Sequence, residues 1–455
     1  MENIKWVVLG IAILMYILVI AFQEKKVWFT TIAAILVVIL GIIFPSYIFD
    51  ITGKAEDLLA GSSFNLHIYS VTHSLFDLIN WNVLMIYVGS MIIAALFIYS
   101  KVPVRIADTI VLKSKSTGFA IVAILAMTGI ISIFVENVAT LLVMAPIALA
   151  LSKKLKINPT MFLIGLAVMS NLEGTATLVG DPPSMIFASF AGYSFNDFFF
   201  HNGHISIFFI IQSGMLAGCV FFYFLFARKS KDKIEVEKEP VISWMPSILL
   251  LTMIFGLAII SFIKTDFEYL SGLFVFALGI IGVIWYKWNQ KKSKDEVRTL
   301  LKELDWETIF FLMGIFVVVG SIQETGLLDM FAGFLAKLAG NSVFLGFLLV
   351  IFVSVVISGF IDNVPYILAM LPVANAMAIQ MNIAPELYMF ALLIGSCLGG
   401  NLTPYGASAN VVSSGILKKE GYPLSFGGWL KVGIPFTIIT TTVAAGFLWL
   451  FWRIF

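Results

Sequence analysis

Residues 131–150, ISIFVENVATLLVMAPIALA, recur in altered form 226 positions later as ISGFIDNVPYILAMLPVANA at residues 357–376. The pairs that match within them include Glu136 with Asp362, Asn137 with Asn363, and Pro146 with Pro372. Farther along, serine, leucine, glycine and threonine positions in 170–180 meet the same residue types in 396–406. Self-similarity at a fixed spacing indicates an internal structural repeat.

The composition indicates a protein that lies in a membrane. Hydrophobic residues make up 60% of the 455 residues and charged residues only 12%, whereas a soluble domain carries about 25% charge. The lipid bilayer must therefore cover much of the apolar surface. The net charge of +1 gives no reason to expect a nucleic-acid partner. We predict a multi-pass protein of the inner (plasma) membrane.

Cysteine and histidine give no sign of a metal centre or a disulfide framework. Cys219 and Cys397 lie in apolar runs, and among the four histidines only His201 and His204 are close in sequence. The sequence also shows no metal-binding His motif and no protease-type pair of nucleophile and base. We therefore expect neither an enzyme nor a resident cofactor.

Apolar runs of about 20 residues, long enough to cross a bilayer, occur eight times. They are 5–22, 27–44, 82–100, 203–227, 242–264, 268–287, 306–322 and 428–453. Four further stretches are too long for one span, and polar residues interrupt each near its middle. These are 118–152, 160–192, 342–380 and 385–418. Such stretches predict re-entrant hairpins or unwound helices.

Lysine and arginine favour re-entrant hairpins for 118–152 and 342–380. With these hairpins, ten segments cross the membrane, both chain ends lie outside, and 23 of the 28 basic residues fall in inner loops. Lys54 is one of the five that fall outside. If the first hairpin crossed instead, the lysines at 153–156 and the basic cluster at 228–238 would move outside. The rule that inner loops are positively charged therefore supports the hairpins.

The two repeats are predicted to be inverted relative to each other. Trp81 and Gly89 match Trp306 and Gly314 at an offset of 225. In the predicted topology the span that begins at Trp81 starts outside, and the span that begins at Trp306 starts inside. Inverted repeats with interrupted helices are typical of alternating-access transporters. We predict an all-α polytopic membrane protein, with an inverted repeat, two re-entrant hairpins and two unwound transmembrane helices.

The predicted organisation has four parts. They are an N-terminal transmembrane pair with an outer loop (1–80), the first inverted repeat (81–227), inner loops with a linking transmembrane pair (228–305), and the second inverted repeat (306–455). A channel or a receptor would not require this symmetry.

The interruptions are predicted to meet near the centre of the membrane. They are two hairpin tips, Glu136-Asn137 and Asp362-Asn363, and two unwound loops, 171–183 and 399–410. Each break frees helix carbonyls, which suit a cation, and helix amides, which suit an anion. We expect the four tip residues to bind ions or substrate, with Na+ possible at all four. The other candidates for ion or substrate binding are Ser170, Glu173, Thr175, Thr177, Asp181, Asn401, Thr403 and Asn410.

Each acid has a structural alternative to ion binding. A carboxylate near the bilayer centre costs about 2.5–3.5 kcal/mol on insertion scales, and Glu136 and Asp362 carry this cost at equivalent positions. A bound cation or proton would relieve it, whereas capping of the return helix is the alternative. Asp181 precedes two prolines, so capping of a helix start is the favoured interpretation there. Glu173 has Gly399 as its equivalent, and its role is left open.

Four motifs in this chain resemble those of the ion transporter superfamily, in the correct order and over roughly residues 80–453. That group includes citrate and dicarboxylate carriers, arsenite-efflux permeases, sodium/proton antiporters and the melanosomal P protein. The motifs are FVENVATLLVMAPI, NLEGTATLVGDPPSMI, FIDNVPYILAMLPV and LGGNLTPYGASANVV. The resemblance implies a homodimer in which a transport domain moves against a scaffold in an elevator fashion.

The hairpin tips depart from the dicarboxylate branch of that superfamily. There each tip carries Ser-Asn-Thr, which binds sodium together with the neighbouring unwound loop; here the tips read Glu136-Asn137-Val138 and Asp362-Asn363-Val364. The resemblance implies that the asparagines contact ion and substrate. Valine in place of threonine argues against a dicarboxylate, and acid in place of serine is similar to the antiporter and P-protein branch.

These observations favour a secondary active transporter that couples Na+ or H+ to movement of a small ion or a carboxylate or other anionic solute. Two versions stay open: cation-coupled anion transport, and Na+/H+ exchange without an organic substrate. The four helix N-termini favour an anion, whereas the two tip carboxylates oppose one unless a cation neutralises them. A passive ion channel is the alternative from a different class.

Overall fold

The computed structural model describes residues 4–44, 48, 63–226, 238–265, 267–340 and 342–453. Lys54 and the basic cluster at 228–238, apart from Lys238, lie outside the described residues. In the described part almost all regular structure is α-helical, and the two short strands β1 (Phe200–His201) and β2 (His204–Ile205) form one antiparallel pair.

The helices of the first half follow the predicted apolar runs closely. In chain order they are α1 (Ile4–Ala21), α2 (Lys26–Ile43), α3 (Ser63–Thr72), α4 (Trp81–Tyr99), α5 (Val102–Lys113), α6 (Thr117–Ser132), α7 (Asn137–Leu155), α8 (Thr160–Gly174), α9 (Pro182–Ala191) and α10 (Ile207–Phe226).

The second half has the same order of long, short and interrupted helices. They are α11 (Met245–Ile260), α12 (Leu270–Trp288), α13 (Lys294–Lys302), α14 (Trp306–Glu324), α15 (Leu327–Ala339), α16 (Val343–Ser358), α17 (Asn363–Gln380), α18 (Pro385–Gly399), α19 (Ser408–Lys419) and α20 (Phe426–Trp452). Among the described helices, eight are long and apolar enough to cross a membrane. The predicted fold class is confirmed.

Each long predicted hairpin consists of two helices joined by four residues. Helices α6 and α7 form the first hairpin, and α16 and α17 form the second. At the first tip the Glu136 carboxylate accepts a hydrogen bond from the Ala139 amide at 2.9 Å. At the second tip the Asp362 carboxylate accepts one from the Val364 amide at 3.2 Å. Both tip acids therefore cap the return helix, because the first amides of a helix have no partner within it.

Each unwound span is a pair of short helices joined by a loop that folds back on the first of them. Helix α8 ends at Gly174 and α9 begins at Pro182, whereas α18 ends at Gly399 and α19 begins at Ser408. A Cβ at Gly180 would lie 2.4 Å from the Gly174 carbonyl oxygen, and the same contact repeats in the second loop. Only glycine fits such a close backbone approach.

Helices α2, α4, α12 and α14 form a frame beside the hairpins. Helix α4 crosses α12 at Gly89, where a Cβ would lie 2.5 Å from the Val275 carbonyl oxygen. The equivalent Gly314 of α14 packs against α2, where a Cβ would lie 3.1 Å from the Thr30 carbonyl oxygen. The same close crossing thus occurs in both repeats, which helps to hold the frame together.

Candidate functional site

A narrow cavity lies where the two hairpin tips and the two unwound loops meet the frame. Its lining on the hairpin and loop side includes Glu136, Asn137, Asn171, Asp181, Asp362, Asn363 and Ser408. Its lining on the frame side is Lys26, Tyr87, Asp305, Thr308 and Phe311. About 30 Å³ of the cavity is accessible to water. That is room for a monatomic ion or one or two waters, whereas pockets for larger ligands measure about 300–1,000 Å³.

The cavity is acidic. Four carboxylates and one lysine line it, so its formal charge is −3 when all five groups are ionised. Two unit charges about 4 Å apart repel by about 4 kcal/mol at an effective dielectric constant near 20. Such a group of acids is stable only when bound cations or protons offset part of the charge.

Four helices begin at the cavity, although α9 starts with two prolines, Pro182 and Pro183, that have no N–H to offer. The first residues of α7, α9, α17 and α19 are Asn137, Pro182, Asn363 and Ser408, and all four line the cavity. A helix N-terminus carries a partial positive charge from its unpaired N–H groups. The cavity therefore combines acidic side chains with backbone groups that favour anions.

In the first half of the site a hydrogen bond to an acidic side chain holds the tip asparagine. The Asn137 amide nitrogen donates to the Asp181 carboxylate at 2.8 Å, and its oxygen accepts from the Ser132 hydroxyl at 2.7 Å. Asp181 begins α9 but makes no capping hydrogen bond with its side chain. Asp181 stands at the N-cap position, but the predicted capping by its side chain is wrong, because Pro182 and Pro183 have no N–H and the Ser184 amide donates to the Asp181 backbone carbonyl instead.

In the second half backbone carbonyls hold the equivalent asparagine. With its nitrogen facing the available acceptors, the Asn363 amide donates to the carbonyls of Ser396 and Gly406, at 3.1 and 3.2 Å, and to the Ser358 hydroxyl at 2.7 Å. Ser358 in turn donates to the Ser396 carbonyl. Both asparagines are 5% exposed, so each is fixed in place rather than left free in the cavity.

A third asparagine joins the two unwound loops. The Asn171 amide nitrogen donates to the side-chain oxygens of Asn401 and Asn410, at 2.8 and 2.9 Å. Asn410 also donates to the carbonyls of Gly400 and Thr403. Asn171 lines the cavity, and its own side-chain oxygen is buried without a hydrogen-bond partner among the described residues. An unpaired buried acceptor at a cavity wall suits a bound cation or water.

The structure brings together five of the twelve residues predicted to bind ion or substrate. Those that line the cavity are Glu136, Asn137, Asp181, Asp362 and Asn363. The others lie behind its wall, where they hold the backbone of the loops. Thr177 donates to the Ile133 carbonyl, Thr403 to the Gly359 carbonyl, Thr175 to the Asn171 carbonyl and Ser170 to the Ala167 carbonyl, while Asn401 and Asn410 hold Asn171.

Glu173 faces away from the cavity, toward α10. One of its carboxylate oxygens accepts from the Gln212 side-chain amide at 2.6 Å, and the other has no hydrogen-bond partner among the described residues. Its side chain is fully buried. A Cβ at Gly129 of α6 would lie 2.8 Å from its Cγ, so this glycine makes room for the glutamate.

Several lining residues were not among the sequence candidates. Asp305, Thr308 and Lys26 lie at the ends of frame helices, and Tyr87 lies within α4. Asp305 caps α14 by accepting from the Thr308 amide at 3.0 Å. Lys26 and Asp305 each stand among other charged residues directly before an apolar span, so no signal in the sequence singled them out.

A second cavity of about 270 Å³ adjoins the first. The two share Lys26, Phe311, Asp362 and Ser408, and the second extends along the end of α1 toward Glu24. In the predicted topology this end of α1 lies on the cytoplasmic side. That topology would make the second cavity the route by which Asp362 is reached from the cytoplasm.

The inverted repeats, the hairpins and the central cavity define a polytopic membrane transporter. The chain matches the citrate transporter family over residues 16–395 and again over 296–455, and it belongs to that family. The predicted resemblance to the ion transporter superfamily is confirmed.

Known relatives are also described as transporters or membrane proteins. An uncharacterized transporter of Mycobacterium tuberculosis is 30% identical over 83% of this chain and 88% of its own length. The 46 kDa membrane protein of Mycobacterium leprae is 31% identical over 82% of this chain and 86% of its own. The human P protein is 25% identical over 83% of this chain and 54% of its own.

Among solved structures, the YdaH transporter of Alcanivorax borkumensis has a similar fold. The TM-score is 0.60, with 13% identity, and the match covers 92% of this chain and 98% of that one. At this identity the likeness concerns the fold alone.

Proposed function

We propose that this membrane transporter is a secondary active carrier that couples Na+ or H+ to the movement of a small anionic solute of the citrate type. The observation that carries the proposal is the central cavity, where four carboxylates and four helix N-termini meet. The acids supply ligands for a cation, and the helix N-termini supply partial positive charge for an anion. Membership of the citrate transporter family supports a carboxylate as the cargo.

In this mechanism the cation binds before the anion. A carboxylate cargo at the tips would face Glu136 and Asp362, and Val138 and Val364 offer it no hydroxyl. One repulsion of about 4 kcal/mol would weaken binding nearly a thousandfold. A bound cation or proton removes that penalty, so uptake of the anion depends on prior loading of the acids.

Exchange of Na+ for H+ without an organic substrate is the second candidate. The size of the cavity favours it, because about 30 Å³ accommodates an ion but not a molecule as large as citrate. For citrate transport the hairpins or the frame must move apart to admit the anion, a change that elevator-type carriers can make. Assembly as a homodimer and location in the plasma membrane remain part of the proposal.

Purified protein in liposomes that contain a pH-sensitive dye would test the proposed coupling. Sodium, citrate, sulfate and arsenite are added in turn to the outside. Proton movement that requires an anion, together with either sodium or a pH gradient, supports coupled anion transport. Proton movement with sodium alone supports Na+/H+ exchange. Ion conductance with no coupling would identify a channel and refute both versions.

Calorimetric titration with citrate or succinate in sodium-free buffer at about pH 8 tests the order of binding. We expect no measurable binding, because the acids are then ionised and no bound cation neutralises them. Addition of sodium should restore binding if sodium is the coupling ion. Micromolar affinity without sodium would mean that the tip carboxylates do not face the substrate.

A further inference from the structure

We propose that Asp305 strengthens cation binding at the site only while the site faces the cytoplasm. The equivalent residue in the first repeat, at the outer end of the frame, is the neutral Asn80. Asp305 is thus a positioning charge on the frame, and the carrier binds its coupling cation more tightly from the inner side than from the outer. This inference rests on the proposed cation coupling.

Asp305 lies on the frame wall of the cavity, opposite the first hairpin tip. One oxygen of its carboxylate accepts from the Thr308 amide at 3.0 Å, and the other lies 3.5 Å from the Tyr87 hydroxyl. Asp305 and Glu136 line the same narrow cavity, one on its frame side and the other on its hairpin side. A cation held by Glu136 would therefore be attracted by Asp305 as well.

The equivalent position in the first repeat, at an offset of 225, is Asn80. It caps α4 in the same way, accepting from the Val83 amide at 2.9 Å, as Asp305 caps α14. Its amide nitrogen also donates to the Ser189 hydroxyl on α9, so Asn80 too lies against the mobile hairpin and loop elements. The geometry of the two caps is the same, and their charge differs by one unit.

The inversion of the repeats places these two residues at opposite ends of the frame. In the predicted topology α14 begins at the inner side and α4 at the outer side. When the hairpins and unwound loops move between the two sides, the site leaves the vicinity of Asp305 and approaches that of Asn80. One state of the carrier therefore has an additional carboxylate near the bound cation, and the other has an amide.

The expected difference is large enough to measure. One unit charge about 10 Å away, at an effective dielectric constant of about 20, changes affinity by roughly ten- to twentyfold. The positive charge of Lys26 weakens cation binding from the inner side. It is present in the wild type and in every variant, so it does not alter the difference between them.

Transport assays in inverted and right-side-out vesicles test the inference. The half-saturating Na+ concentration is measured from each side, or the half-saturating proton concentration if transport depends on pH but not on Na+. Asp305→Asn should raise it roughly ten- to twentyfold in inverted vesicles, where the cytoplasmic face is titrated. In right-side-out vesicles the shift should stay below about twofold. Asparagine preserves the helix cap, as Asn80 does in the first repeat.

The mirror substitution provides an independent measurement. Asn80→Asp should lower the half-saturating concentration from the outer side by a similar factor and leave the inner side unchanged. Glu303→Gln removes an exposed acid two residues before Asp305 that lines neither cavity, and it should shift neither side.

Equal shifts on both sides for Asp305→Asn, or none on either, would overturn the inference while leaving the proposed function in place. The same holds if Glu303→Gln reproduces the effect. A wild-type protein that responds to neither Na+ nor pH would overturn the proposed function, and this inference with it.

Discussion

The two halves of the site have the same backbone and different charges. In each half a serine of the first hairpin helix contacts the tip asparagine, and a tip acid caps the return helix. In the first half the asparagine donates to Asp181, whereas in the second its partners are backbone carbonyls, because Ala407 stands at the equivalent position. The asparagine is thus held by an acidic side chain in one half and by neutral backbone groups in the other.

The halves also exchange large and small residues where the hairpin crosses the unwound helix. Gly129 faces Glu173 in the first half, and Val355 faces Gly399 in the second. The total volume is similar, but a carboxylate takes the place of a valine. Glycine and serine thus set the geometry of both halves, while the few positions that differ between the repeats set the chemistry of each half.

The inversion of the halves makes the largest prediction, because it is all-or-none. Lys154, at the end of α7, has Gln380 at the end of α17 as its equivalent, and both are exposed. A cysteine at position 154 should react with a membrane-impermeant thiol reagent only from the cytoplasmic side, and a cysteine at 380 only from outside. Labelling of both from the same side would rule out the inverted arrangement.

The tip acids should produce the next largest effect. Glu136→Gln and Asp362→Asn each remove one negative charge from the cavity while keeping a group that can cap the helix. We expect each to reduce the sodium or pH dependence of transport by more than tenfold, because a cation would lose a ligand. Transport as a function of sodium and pH in liposomes measures this.

Asp181→Asn is the matched comparison for the tip acids. Its side-chain oxygen can still accept from Asn137, so the folded structure should be kept. We expect a milder loss of coupling than in either tip variant, because Asp181 is already paired with an amide. Wild-type coupling in both tip variants would assign those acids to helix capping alone.

The glycine framework predicts smaller effects, on stability. A Cβ at Gly174 would lie 2.2 Å from the Asn137 side-chain oxygen, and one at Gly400 would lie 2.8 Å from the Asn363 amide. Gly174→Ala should therefore lower the free energy of unfolding by about 1–3 kcal/mol, and Gly400→Ala by less. Thermal unfolding in detergent measures both.

Gly415→Ala is the control, since nothing lies within 4 Å of a Cβ there. It should change stability by less than about 0.5 kcal/mol or raise it slightly, because alanine favours a helix more than glycine does. If Gly174→Ala behaved like this control, the tight fit around Asn137 would be wrong.

The sequence predicted most of the fold because its strongest signals are local. Apolar length locates the spans, polar interruptions locate the tips and loops, and the distribution of lysine and arginine identified 118–152 and 342–380 as hairpins. The short amphipathic helices α5 and α15, which precede the hairpins, were not predicted. They have 12 and 13 residues, so a search for apolar runs long enough to cross a membrane does not find them.

The candidate site was only partly predicted, because its composition depends on contacts between distant segments. The repeat identified Glu136 and Asp362, since the same polar residue recurs in two apolar stretches. Lys26 and Asp305 reach the cavity only through the packing of the frame against the hairpins, and no local pattern encodes that. Asp181 illustrates the reverse case: its local pattern was typical of a side-chain cap, but its carboxylate caps nothing and instead accepts from Asn137, a residue 44 positions away.

The asparagine bridge between the unwound loops affects how faithfully a carrier couples its cargoes. Asn171 fixes Asn401 and Asn410 through the two hydrogens of one amide, so the two loops cannot drift apart without breaking a buried bond. In the proposed mechanism this bridge would make the two halves move together. A carrier whose halves moved separately could release its cation on one side and its solute on the other, and the stored gradient would be dissipated as a leak. If the proposed coupling is correct, three amides therefore help to keep its stoichiometry fixed.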